Sequence, residues 1–226
     1  MKNPRLYRKG LPRPIQYLKD LYALKQLQSD SMLWRCLSPV FEKSHSTGCD
    51  YSELLMLYKH VRNERPSTIL ELGSGVSTAV IAYAIHSLSS TGYRCRLISM
   101  EEDKRYHAQI VAIFPEVLRP YVEIIQSPTE DREVQAGLFS RCYINKPRLK
   151  YDFVFIDGPQ VPRSDEYFDG DILDVLEWNS SPIVAFLDQR IKTRRALRRL
   201  MPFARIKANR EFAVFHIPEA AKRSAL

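Results

Sequence analysis

Three short runs hold the side chains best suited to chemistry. The first is Ile69-Leu-Glu-Leu-Gly-Ser-Gly-Val-Ser-Thr78, where an apolar stretch meets Gly73-Ser-Gly75 and a helix is predicted to open at about Ser77. Glycines at such a turn accept dihedrals that a Cβ forbids and let the backbone approach a ligand closely, while the helix N-terminus offers free N–H groups. A dinucleotide fingerprint needs a third glycine where Thr78 stands, which speaks against a dehydrogenase. The second run, Leu97-Ile-Ser-Met-Glu-Glu-Asp103, ends a predicted strand in three acids. A carboxylate at a strand tip can accept hydrogen bonds from both hydroxyls of a ribose. Glu101 is the candidate, because an acidic helix start accounts for Asp103 better than for Glu101. The third, Tyr151-Asp-Phe-Val-Phe-Ile-Asp-Gly-Pro159, delivers Asp157 to the C-terminal edge of a sheet, where ligands of open α/β folds bind. There Asp157 could orient a substrate, act as a general base, hold a metal, or begin the turn made by Gly158-Pro159.

These residues need a sheet to hold them, and the pattern supplies one. From Thr68 onward apolar runs alternate with helical stretches, the signature of βαβ units and a mostly parallel sheet. Strands are predicted over Thr68–Leu72, Arg96–Met100, Val122–Gln126, Phe153–Asp157 and Ile183–Leu187. Helices are predicted near Ser77–Ser89, Lys104–Phe114, Asp131–Ser140, Gly170–Trp178 and Thr193–Met201, and Ala204–Ala208 with Phe212–Ile217 reads as a closing hairpin. Upstream, Ile15–Gln28 and Tyr51–Arg62 have amphipathic spacing, the second capped by Asp50 or Ser52. Residues 31–50 read as mixed, ending in a polar loop. The chain of 226 residues is long enough for one α/β domain, placed at 51–226, with residues 1–50 as a helical extension forming a lid or an oligomer contact.

The segments ILELGSGVST, ISMEED and YDFVFIDGP, in this order and spacing, resemble motifs I, II and IV of the class I S-adenosylmethionine-dependent methyltransferases, over roughly residues 50–217. The resemblance implies a doubly wound, mostly parallel seven-stranded sheet, methyl transfer, and S-adenosylmethionine as cofactor. It implies that Glu71, Gly73, Ser74 and Gly75 surround the methionine moiety, that Ser77 and Thr78 lie near its carboxylate, and that Glu101 binds the ribose. Ser127 would lie near the adenine and Asp157 beside the transferred methyl. Catechol-type relatives hold Mg²⁺ with an Asp after strand four and an Asp-Asn after strand five. Asp157, Asp188 and Gln189 are similar to that set, with Gln departing from Asn. Without a metal, Asp157 or Asp188 could still take the acceptor's proton.

Net charge is +8, with Lys and Arg clustered at the N-terminus and again between Arg190 and Arg210. Arginine forks match phosphate and carboxylate, so Arg163 and Arg190, nearest the predicted rim, are candidate substrate ligands for an acidic or sugar-like acceptor. Arg194, Arg195, Arg198 and Arg199 form one side of a helix and read equally as solvated charge. RNA methylation is the alternative, and a non-catalytic nucleotide-binding protein of the same fold is another. His60, His86, His107 and His216 read as packing or surface residues, and His45, in a polar loop, is ambiguous. The four cysteines lie far apart, without metal or disulfide spacing, as in a cytoplasmic protein. No membrane span and no secretory signal is expected.

Overall fold

The computed structural model describes residues 14–44, 49–209 and 212–220. His45, the N-terminal basic cluster and Arg210 lie outside them. Three helices come first: α1 (Pro14–Ser29), α2 (Ser31–Lys43) and α3 (Tyr51–Glu64). Then follow β1 (Thr68–Leu72), α4 (Val76–Leu88), β2 (Arg96–Glu101), α5 (Lys104–Ile113), β3 (Val122–Gln126), β4 (Thr129–Gln135), β5 (Leu138–Tyr143), β6 (Phe153–Ile156), β7 (Tyr167–Asp169), α6 (Asp171–Trp178), β8 (Ile183–Asp188), α7 (Ile191–Leu200), β9 (Arg205–Ala208) and β10 (Phe212–Ile217). Among the described residues no helix is long and apolar enough to cross a membrane.

Seven strands form one sheet in the order β3-β2-β1-β6-β8-β10-β9, parallel except for β10, which runs antiparallel to both neighbours. The chain winds outward from β1 through β2 to β3, then returns to lay β6 on the other side of β1. The crevice at β1 and β6 is therefore the topological switch point, where open α/β sheets take their ligands.

The central strands are apolar throughout because both faces are covered. Ile69, Phe153, Phe155 and Phe186 face a core built with α1 to α5, whereas Leu70, Leu72, Val154, Ile156, Ala185 and Leu187 face a second core with α6 and α7. α1 and α2 are packed into the first core through Ala23, Leu27, Leu33 and Leu37.

The helix expected over Asp131–Ser140 is not formed. β4 and β5 make an antiparallel hairpin there, and β7 joins β5 in parallel to give a separate three-stranded sheet. The segment Thr129–Gln135 has no apolar stripe to bury, and Gly137, at φ +73°, supplies the turn. Tyr143 and Phe168 of this small sheet are wholly buried in the second core, so it covers ground that a crossover helix would have covered. The stretch read as mixed contains α2, which begins at the N-cap Asp30 and carries Pro39 within it.

Candidate functional site

The two loops at the switch point touch. Gly73 has φ +98°, and a Cβ on Gly158 would lie 2.8 Å from the Gly73 Cα. Neither position has room for a side chain without a backbone shift, which accounts for both glycines. β1 is tied to its neighbours beyond its last residue: Gly73 N–H donates to the Met100 carbonyl (3.0 Å) and Asp157 N–H to the Leu72 carbonyl (2.9 Å).

Below the turn lies a buried hydroxyl network. Ser99 donates to Glu71 Oε2 (2.7 Å), and its oxygen is 2.8 Å from Ser74 Oγ and 3.2 Å from Thr78 Oγ1. Thr78 Oγ1 also accepts from Gly75 N–H (2.8 Å), closing the first turn of α4. Glu71 is fully buried, and desolvation lifts its carboxyl to about 7, against the pull of the Ser77, Ser99 and Thr78 hydroxyls. A raised carboxyl stabilises the fold fully only below its unfolded value and loses that stabilisation as pH rises to the folded one. Glu71→Gln, which mimics the neutral form, is therefore expected to gain stability relative to the parent between about pH 4.5 and 7, reaching roughly 3 kcal/mol. Thermal melts across that range would show it, and a constant difference in melting temperature would refute it.

The three acids at the tip of β2 do three jobs. Glu101 is buried; its Oε1 accepts from Asp103 N–H (3.0 Å), and the Ser74 backbone in the glycine turn lies near enough to favour its charged form. Burial raises it to about 7, with Glu102 and Asp103 adding to the shift. Glu102 takes the Tyr143 hydroxyl (2.6 Å) and Gln160 N–H (2.9 Å), which ties the loop after β6 to β5. Asp103 caps α5 through Arg105 N–H and Tyr106 N–H. Ser127 is buried, but its hydroxyl accepts from Asn145 N–H and donates to the Pro128 carbonyl, both at 3.0 Å.

On the other side of β1 the structure gathers carboxyl groups. Asp157, at the end of β6, and Glu53 of α3 both lie close to Asp188, at the end of β8, and Asp188 Oδ1 and Glu53 Oε1 are buried without a hydrogen-bond partner among the described residues. Burial, then the Asp188 charge, pushes Asp157 well above the carboxylate range, and burial does the same to Glu53. Glu53 Oε2 accepts from Asp50 N–H (2.6 Å), the Cys49 thiol faces Asp157 Oδ2 at 3.9 Å, and the Gln189 amide donates to Asp50 Oδ2 (3.3 Å). Burial first, then Asp157, raises the Cys49 thiol well above its ordinary value.

Arg190 closes this cluster. Its guanidinium bonds Asp169 Oδ1 (2.7 Å), the Pro159 carbonyl (2.7 Å) and the Asp157 carbonyl, and stands 3.7 Å from Asp157 Oδ1. Thr193 adds a bond to the other Asp169 oxygen. Arg190 thus fastens the loop after β6 to the start of α7. Arg163 is exposed, and its carbonyl accepts from Lys192 (3.0 Å).

Asp157, Asp188 and Gln189 do not suit a divalent cation in this arrangement. A guanidinium already stands 3.7 Å from Asp157 Oδ1, and the Gln189 amide is turned to Asp50. Elsewhere among the described residues, Cys142, Asp171 and Asp174 converge closely enough to hold an ion, and there the Lys146 ammonium already stands 2.5 Å from Asp171 and 2.9 Å from Asp174.

The sequence names Glu71, Glu101, Asp157 and Asp188 as candidates, and the fold brings them to the ends of β1, β2, β6 and β8; it gives no sign of Glu53, Cys49 or Asp169 beside them. The Asp50-x-x-Glu53 spacing announces a capping box, and nothing in it announces that the same glutamate reaches β8.

No family model and no curated protein matches the chain. Solved structures do overlap with it. A methyltransferase-like protein from Silicibacter pomeroyi is 20% identical over 74% of this chain and 84% of its own, with a TM-score of 0.48. A putative class I S-adenosylmethionine-dependent methyltransferase from Listeria monocytogenes is 12% identical over 96% and 78%, with a TM-score of 0.49. The S-adenosylhomocysteine-bound methyltransferase PaMTH1 from Podospora anserina is 12% identical over 89% and 88%, with a TM-score of 0.48. At these identities and scores the overlap adds nothing to what the strand order and the site already show.

Proposed function

We propose that the chain is an S-adenosylmethionine-dependent methyltransferase that acts on an oxygen or nitrogen of a small acidic or sugar-like acceptor. The observation that carries this reading is the join between Glu101 and the glycine turn. A buried carboxyl at the β2 tip lies against the Ser74 backbone, which favours its charged form, directly beside the switch point and the start of α4. A nucleoside attached to an amino acid needs that pairing: an acceptor for ribose hydroxyls next to a close-approach turn and free helix N–H groups.

The residues fit such a cofactor. Glu101 would hold the ribose, Gly73, Ser74 and Gly75 would line the methionine portion, and Ser77 and Thr78 would mark the end that meets its carboxylate. When bound, the cofactor supplies a methyl group on a positively charged sulfur. Glu71 supports the turn from beneath rather than facing the ligand, through the Ser99 hydroxyl. Ser127 serves the adenine end by holding the chain after β3 in place.

Asp157 and Asp188 stand together at this rim, and either carboxylate, when ionised, is a group able to take a proton from the acceptor. Arg190 fixes the Asp157 loop rather than reaching out, which leaves Arg163 as the exposed cation for an anionic acceptor. Cys49 and Asp50, at the end of the N-terminal extension, meet Asp157 and Gln189 at this rim, which supports a covering role for that extension. No step is assigned to a metal.

Calorimetric titration tests the reading. S-adenosylhomocysteine is expected to bind and NAD⁺ is not; binding of NAD⁺ alone, or of neither, removes the proposal.

A further inference from the structure

The helix α7 carries cations that the fold does not use. Its inner side, Thr193, Ala196 and Leu197, is buried. Lys192 and Arg194, near its start, are engaged: Lys192 pairs with Asp165 (2.8 Å) and Arg194 bonds the Asn209 carbonyl (2.5 Å). Arg195, Arg198 and Arg199 are exposed, and among the described residues none of them has an ion-pair partner, although Arg195 lies within electrostatic reach of Asp165. Elsewhere Arg96, Arg119, Arg132 and Arg141 each have a carboxylate within 3.0 Å, whereas exposed Arg65, Arg94 and Arg163 have no ion-pair partner among the described residues but stand singly, not stacked along one helix face.

The helix contains no acid at all, and it sets Arg194 against Arg198 and Arg195 against Arg199 at i,i+4, a spacing at which like charges repel. Arg198 and Arg199 complement the helix dipole from the last turn; Arg195 does not. The edge strand β9 adds exposed Arg205 and Lys207 at the same end of the sheet.

We propose that the outer face of α7, through Arg195, Arg198 and Arg199, is a docking surface for the phosphodiester backbone of a single-stranded nucleic acid. The surface is a convex helix side, so it cannot enclose a small anion, which needs a concave site. Its planar forks recur about one helical turn apart and match successive phosphates. The large exposed apolar residue of this helix is Ile191 alone, at its far end, so there is no apolar face to enter a bilayer. α7 starts directly after Asp188 and Arg190, so a strand lying along it is led to the carboxylate rim. The inference goes beyond methyl transfer and stands without it.

Fluorescence anisotropy with labelled oligouridine and oligothymidine, over a range of salt, tests it. For a single strand the logarithm of affinity falls with the logarithm of salt by about 0.7 per phosphate neutralised. The combined Arg195→Gln, Arg198→Gln, Arg199→Gln variant is expected to lose about two units of that slope and at least ten-fold in affinity at low salt. A control of equal charge, Lys59→Gln, Arg65→Gln, Arg94→Gln, should change little. The two probes report whether RNA, DNA or both are held. Equal losses in the two variants would mean net charge alone, and absence of binding at low salt, or α7-dependent binding only to phosphatidylserine vesicles, would overturn the proposal. S-adenosylhomocysteine binding by the same variants, measured separately, keeps failure here distinct from failure of the methyl-transfer reading.

Discussion

Lys146→Met is expected to destabilise the protein by about 3–5 kcal/mol, the usual result of stripping one partner from a buried ion pair. The ammonium is buried and bonds Asp171 Oδ1, Asp174 Oδ2 and the Tyr143 carbonyl. Asp171 has no exposure, and its Oδ1 also accepts Tyr143 N–H (2.9 Å), so this lysine neutralises the point where β5 meets α6. Burial holds Asp171 up at about 7 even against the attraction of Lys146. Without the lysine the carboxyl must rise further, and its folded form keeps its proton to higher pH than the unfolded chain does. Stability of the variant should then fall more steeply than the parent's as pH rises from about 5 to 8, the sign that follows from the folded state binding more protons. Adding Asp171→Asn should restore a large part of the loss, because the uncompensated charge is gone. Chemical denaturation at two pH values measures all of this. A parent-like midpoint for Lys146→Met would show that the ion pair contributes nothing, and no recovery in the double variant would place the loss in packing of the lysine stem instead.

That lysine illustrates where sequence reading stops. The strands of the large sheet were legible because burial on both faces makes them continuous apolar runs: β1 and β3 are found at their expected bounds, and β2, β6 and β8 differ by one residue. The positions of the candidate residues on those strands were legible for the same reason, since a strand end fixes where its next side chain points. What failed was inference from rhythm. A helix between β3 and β6 was expected because successive parallel strands of one sheet are usually joined through a helix, yet Thr129–Gln135 lacks an apolar stripe and Gly137 offers a turn, so a hairpin forms. α2 was obscured by Pro39, a residue that usually marks a helix's end. Contacts between distant segments had no local signal. Glu53 reads as a capping residue and is one, but its second role depends on α3 crossing the ends of β6 and β8. Arg190 reads as a free cation at the rim, and only the fold shows Asp169 waiting for it. Lys146 and Asp171 lie far apart along the chain, in segments with no feature that pairs them.

Substitution of Glu101 should have the largest effect on ligand binding. If this carboxylate holds both ribose hydroxyls, Glu101→Ala removes two hydrogen bonds to a charged acceptor, each about 1.5–3 kcal/mol. A loss of at least 3 kcal/mol corresponds to a hundred-fold or greater weakening of S-adenosylhomocysteine binding. Glu101→Gln keeps one acceptor oxygen and gives up the charge, so it should fall between the two. The pH dependence separates this role from a structural one. Burial lifts Glu101 to about 7 in the free protein, whereas hydroxyl donors favour its ionised form. Affinity in the parent should therefore strengthen as pH rises from about 6 to 8 and level off above, while the Gln variant stays flat across that range. A merely structural glutamate, joining the glycine turn to β2, would weaken binding through a lowered melting temperature and would leave the pH profile unchanged by the Gln substitution. Titration calorimetry of the three proteins, with their melting temperatures, decides between these: an alanine variant that folds and binds like the parent would take the ribose away from Glu101, and with it the pairing on which the methyl-transfer reading rests.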